Sequence, residues 1–105
     1  MRPIPRSALP DRMSVRTPAG AGALSEPRLV CNVRFERTQR ACDDAHRCAD
    51  AGCGTVFVDA VNSIGAFEVP AGSRVTIGGH SLYVVECQTC GDLFGRIHHW
   101  ELKVR

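Results

Sequence analysis

The sequence predicts a mainly β protein, a small antiparallel β-barrel or sandwich with long loops and an extended N-terminal arm. Three observations carry that expectation. Around Gly78-Gly79, a two-residue turn sets Val75 opposite Leu82, Ile77 opposite His80, Arg74 opposite Tyr83 and Thr76 opposite Ser81, so one face of a hairpin is largely apolar and the other polar. After a turn region at Gly91 to Gly95, His98, Trp100, Leu102 and Val104 alternate with His99, Glu101, Lys103 and Arg105, the period-two signal of a half-buried strand. Strand-like runs recur with turn signals between them, and no long stretch carries a helical period.

Taken in order, residues 1–11 contain Pro3, Pro5 and Pro10, which remove backbone donors and favour extended chain; they read as an arm. The remainder, 12–105, reads as a single β-domain. Met13 and Val15 alternate with polar neighbours, a short strand, and the Gly-, Ala- and Pro-rich 17–27 reads as a loop. From Arg28 to Glu36 the alternation puts Leu29, Cys31, Val33 and Phe35 on one face. Residues 37–52 break both periodicities. They offer Ala and Gly but almost no large apolar side chain, so a long, mobile loop is expected there. Thr55 to Val61 is a near-continuous β-branched run, a strand covered on both faces, with Asn62-Ser63 marking its end. Asp59 inside it must find donors or lie at the strand's exit. Ala66 to Val69 reads as a short edge strand. Closing such strands into a barrel removes their exposed edges.

At 105 residues the chain holds one core. Its formal charge of +2 is divided unevenly: residues 1–40 hold eight arginines against Asp11, Glu26 and Glu36, giving +5, and the rest sums to −3. That asymmetry marks the N-terminal segment as one that meets nucleic acid or an acidic protein surface, or as a tail kept soluble by arginine. No run approaches the length of a membrane span, and the proline-studded start is no secretory signal, so the expected site of synthesis and assembly is the cytoplasm. Six cysteines without such a signal point to free thiols or metal ligation in place of disulfides.

The sharpest chemical signal is a pair of Cys-Gly-x-aliphatic-Phe stretches, ending Cys53-Gly54-Thr55-Val56-Phe57 and Cys90-Gly91-Asp92-Leu93-Phe94. With Cys48 and Cys87 they supply four thiolates, Cys48, Cys53, Cys87 and Cys90, the donor set of a structural zinc ribbon. Against this, four residues separate the first pair, the hairpin closes without metal, and Cys31 alternates inward like a simple hydrophobe. His98 and His99 are neighbours on a strand, where successive side chains point to opposite faces; the expectation is a hydrogen-bonded, partly buried His98 and a surface His99. Asp43-Asp44 with His46 reads as a polar solvated loop. No nucleophile with a base, phosphate loop or dinucleotide fingerprint is legible, which argues against an enzyme.

Four stretches, IPRSALPDRMSVR, VRFERTQ, TVFVDAVNS and GSRVTIGGHSLYVVE followed by HHWELKVR, resemble in their order the minor capsid and head-tail connector proteins of tailed bacteriophages and prophages. The blocks FVDAVNS and HHWEL are the specific ones; they place Phe57, Asp59, Asn62, Ser63, His98, His99, Trp100 and Glu101 in the resembling pattern. The resemblance implies a non-enzymatic virion component without a cofactor. It would be added at the portal vertex as a homo-oligomeric ring, closing the DNA-filled head and docking the tail. Its partners would be portal and tail proteins, with DNA in the channel read without sequence specificity and no membrane. The cysteines of the connecting loops are not part of that pattern. The competing reading is a zinc-ribbon-like module that contacts nucleic acid through the arginine-rich N-terminal segment.

Overall fold

The structure is a computed structural model that describes residues 2–37 and 54–105. Among the described residues eight strands are formed: β1 (Asp11–Arg16), β2 (Pro18–Gly20), β3 (Ala23–Leu24), β4 (Arg28–Arg37), β5 (Gly54–Asp59), β6 (Arg74–Ile77), β7 (His80–Gly91) and β8 (Ile97–Val104). Six of them close a barrel in the order β1-β4-β5-β8-β7-β6, antiparallel at every seam. The expected barrel is therefore the observed one. Among the described residues the only helical element is a 3-10 turn at Arg6–Ala8.

The β6–β7 hairpin has the register the Gly78-Gly79 turn dictates, with Arg74, Val75, Thr76 and Ile77 opposite Tyr83, Leu82, Ser81 and His80. Both turn glycines have positive φ, as a two-residue hairpin turn requires. β8 buries Trp100, Leu102 and Val104 on alternate positions. With Val56 and Val58 of β5 and Met13 and Val15 of β1, they fill the barrel interior.

Three elements depart from expectation. The stretch 17–27 is not plain loop: β2 and β3 form a two-stranded hairpin, and Thr17 and Ser25 bond to each other across its base. No strand forms at 66–69, although Val69 is fully buried. In β4 the inward face is Val30, Val33 and the partly buried Phe35; Leu29 is exposed and Cys31 only half-buried. The cause is a β-bulge. Arg12 pairs with Cys31 and Asp11 with Val33, so Asn32 is an extra residue, and its φ of 60° turns the chain and shifts the alternation by one place. Asn tolerates that left-handed conformation better than most residues.

Gly54, where β5 begins opposite Arg37, is held for a different reason. A Cβ there would stand 2.3 Å from the Glu36 carbonyl oxygen and 2.9 Å from the Phe35 ring. The first neighbour is backbone and cannot swing aside. Gly54→Ala is expected to cost about 1–3 kcal/mol by overpacking, read as a lower urea midpoint at unchanged slope; an unshifted midpoint would contradict the β4–β5 register.

Candidate functional site

Several of the residues singled out in the sequence, Asp59, Asn62, Ser63, His98 and His99, gather at one end of the barrel, where β5 stops, β8 begins and β7 ends. Asp59, the last residue of β5, is completely buried. Its Oδ2 accepts hydrogen bonds from the backbone N–H groups of Val61 and Asn62, at 2.9 and 2.7 Å, which fixes the turn that ends the strand. Its Oδ1 accepts the N–H of Ile4 at 2.9 Å, and Asn62 Nδ2 donates to the Ile4 carbonyl at 2.7 Å. Both polar groups of one arm residue are thus satisfied by the barrel. Ser63 Oγ accepts the Asp59 N–H at 2.9 Å and donates to the Asn32 carbonyl, while Asn32 Nδ2 donates to the Asn62 carbonyl at 3.1 Å. Asp59, Asn62 and Ser63 therefore form one polar clasp joining β5, the β4 bulge and the N-terminal arm.

The arm is strapped down along its length. Leu9 is buried, the Ala8 carbonyl receives Arg34 Nη1 at 3.5 Å, and the Arg2 carbonyl lies 2.5 Å from His98 Nε2. Asp11 Oδ2, at the start of β1, accepts the Phe35 N–H at 3.0 Å. The arginines of this basic half are partly engaged: Arg16 Nε donates to the Ser25 carbonyl, Arg28 stacks 3.9 Å over the Phe67 ring, and Arg34 pairs with Glu36.

The histidine pair corrects its sequence expectation. His98 and His99 do not diverge: their Nδ1 atoms are 2.8 Å apart, with the rings edge to face at 5.0 Å between centroids. The β7–β8 register explains this. Cys90 pairs with His99 and Gly91 with Ile97, so His98 is the surplus residue of a bulge, where strict alternation of faces fails. His99 is mostly buried instead of lying on the surface, and its Nε2 is 3.0 Å from Glu101 Oε2. Cys90 Sγ donates to the same oxygen at 3.5 Å. Phe57, opposite Glu101 on β5, flanks the group with its ring 6.2 Å from that of His99. Trp100 turns the other way, into the core.

These contacts set the local electrostatics. The bond from His99 holds the Glu101 carboxyl below its ordinary range, and partial burial, then the bond to Glu101, pushes the Cys90 thiol up. Burial, followed by the nearby Glu68 carboxylate, raises Cys87 as well.

Of the four expected zinc thiolates, Cys48 and Cys53 lie outside the described residues, as do Cys42, Asp43, Asp44, His46 and the body of the 37–52 loop. Cys87 and Cys90 stand on the continuous strand β7, not on a turn. Three places apart on a strand, they face opposite ways, Cys87 against the core and Cys90 on the outer surface beside Glu101. The group of metal-ligating atoms that does converge among the described residues is Cys90, His99 and Glu101, all within 4.8 Å of one another. Sequence reading missed it because the pairing of Cys90 with His99 depends on the bulge; the usable signal was Glu101, two places from His99 and so on its face.

Next to this group the β7–β8 turn presents Leu93 and Phe94, 96% and 83% exposed. The turn is nonetheless well ordered by its own bonds. Asp92 Oδ1 accepts the Phe94 and Arg96 N–H groups at 2.8 and 3.0 Å, and the Asp92 N–H donates to the Arg96 carbonyl at 2.8 Å. Those two donors hold the Asp92 carboxyl below its usual value.

A closed six-stranded barrel, with its N-terminal segment bonded to one end and an apolar pair exposed on the β7–β8 turn, defines a small all-β protein. The family comparison gives the particular kind: the model of the minor capsid protein family matches residues 19–104, and the chain belongs to that family of phage structural proteins. The match takes in every strand from β3 to β8 and leaves β1 before it. No curated protein and no solved structure matches the chain. As a minor capsid protein it is a component of the virion and interacts with other virion proteins. No helix among the described residues is long and apolar enough to cross a membrane.

Proposed function

We propose that this minor capsid protein is a head-tail connector of the head-closure type. It takes its place at the portal vertex after DNA packaging, as a homo-oligomeric ring assembled in the bacterial cytoplasm, and it provides the surface on which the tail docks. It acts as a fitted part and not as an enzyme. The observation that carries this reading is the Leu93-Phe94 tip. A large apolar pair kept in water on a turn fixed by Asp92 is unfavourable in the free subunit and becomes favourable when a partner covers it. Barrel closure supports the same reading: the six barrel strands offer no free edge for strand addition, so contacts to neighbours run through tips, arm, loops and outer faces, and subunits related by rotation can make such contacts head to tail around a ring. DNA in the channel would meet the subunit without base-specific contacts.

The test is the double variant Leu93→Asp, Phe94→Asp. Its thermal midpoint is expected to stay within a degree or two of the parent, about what a surface change away from the core does. Heads supplied with it in place of the parent are expected to package DNA and then leak it or fail to accept tails, seen by electron microscopy and plaque count. Normal plaque yield from the variant would overturn the role of the tip, and empty heads that never package would move the protein to an earlier step of assembly.

A further inference from the structure

The proton count at the histidine pair points to a ligand. Along the line Arg2 carbonyl, His98, His99, Glu101 there are three contacts, at 2.5, 2.8 and 3.0 Å. A backbone carbonyl and an ionised carboxylate only accept, so each end contact needs a hydrogen from a ring, and the contact between the rings needs one more. Two neutral imidazoles carry two hydrogens. The line is one positive charge short, and either an extra proton or a bound cation makes it up.

The surroundings favour a metal over a bare proton. His98 Nε2 is committed to the Arg2 carbonyl, so a neutral His98 accepts at Nδ1 and His99 must donate from its own Nδ1. That leaves the lone pair of His99 Nε2 facing Glu101 Oε2, with Cys90 Sγ on the same oxygen. A tetrahedral zinc with ordinary bond lengths sets an N–O edge of about 3.3 Å and an S–O edge of about 3.5 Å. The observed separations are 3.0 and 3.5 Å. Sulfur, imidazole and carboxylate together suit a borderline-soft divalent ion, and a ring whose far nitrogen is fixed by a second group is the usual support of such a ligand.

We propose that Cys90 Sγ, His99 Nε2 and Glu101 Oε2 bind one zinc ion on the outer face of the β7–β8 ladder. On binding, the Cys90 thiol gives its proton to solvent and the thiolate becomes a ligand, and the fourth tetrahedral position is left to water. His98 is a positioning residue. It touches no metal but passes the orientation of the arm's Arg2 carbonyl to the ligating ring. The ion would pin β7 to β8 beside the tip and, through His98, fix the arm to the same end of the barrel. The inference does not depend on the place of the subunit in the virion.

The experiment uses the full chain, reduced and freed of metal, titrated with cobalt(II) and then with zinc(II). One equivalent of cobalt is expected to give thiolate-to-metal absorption with tetrahedral visible bands, which zinc abolishes. Zinc should raise the melting temperature. His99→Ala and Glu101→Gln are expected to lose saturable binding and the zinc-dependent shift in melting, and His98→Phe to bind about 10-fold more weakly or worse. The Cys48→Ser, Cys53→Ser double variant leaves the cluster intact and is expected to bind as the parent does, so the test stands even if a cluster variant fails to fold. Absence of saturable binding by the parent leaves the extra proton as the answer and overturns the proposal. Binding that survives His99→Ala and Glu101→Gln, or that vanishes in the double cysteine variant, overturns it in favour of a thiolate-only site.

Discussion

Trp100→Ala is expected to be the most destabilising single change among the residues discussed. The indole is the largest side chain in the barrel, 8% exposed, and it sits on β8, paired with β5 on one side and β7 on the other. Truncating a buried indole to alanine costs about 3–5 kcal/mol in lost transfer energy and residual cavity. A small domain has about 5–15 kcal/mol to lose. Trp100→Phe should cost much less than Trp100→Ala, because the indole Nε1 has no hydrogen-bond partner among the described residues and phenylalanine gives up only volume. As Trp100 is the one tryptophan in the chain, its emission reports directly. A blue-shifted native spectrum that moves red in urea is expected of the parent; the variants lack this reporter, and circular dichroism is expected to show a lowered urea midpoint for the phenylalanine variant. Red-shifted emission that denaturant leaves unchanged would contradict both the core assignment and the phase of β8.

Asp59→Ala should be the second most damaging single change among the residues discussed. The carboxylate is the shared acceptor of three backbone donors, two in its own turn and one in the arm. Each donor left buried without an acceptor costs about 1–3 kcal/mol, and release of the arm lets water rescue part of this, so a net loss of about 2–4 kcal/mol is expected. The effect should also be local in a telling way. Hydrogen exchange at the Ile4 amide should rise before exchange in the barrel strands, because the arm loses its anchor while the β1–β4 ladder persists. Asp59→Asn keeps one acceptor oxygen and should fall between. An Ile4 amide as protected in the alanine variant as in the parent would show that the clasp does not hold the arm.

How much of this was legible in the sequence follows from where the information lies. The β6–β7 register was readable because Gly78-Gly79 fixes the turn and two residues on either side already show the pattern. The inward face of β8 was readable for the same reason: Trp100, Leu102 and Val104 keep strict alternation. β4 was misread because its phase turns on one positive φ, and Asn32 carries no mark that separates a bulge from an ordinary strand position. Asp59 was recognisable as a carboxylate in need of donors, but its arm donor lies 55 residues away in a proline-rich segment that looked free. The histidine pair failed through the same physics as β4. One surplus residue, His98, undoes the rule that neighbours on a strand face apart.

The seam between β1 and β6 has a consequence for how the subunit comes into being. Met13 must meet Ile77 and Val15 must meet Val75, residues about sixty places further along the chain. β1 is therefore made well before its second barrel neighbour and finds it only after β6 has been synthesised. Joining chain ends this far apart is slow compared with forming the hairpin, and barrels dominated by such distant pairings fold in roughly milliseconds to seconds. Until then the edges of β1 and β6 are bare, and in a cell filling with capsid components each could take a strand from another copy. The rate at which β1 closes the ring of strands, more than the final strength of the core, should decide what fraction of newly made chains reaches the virion.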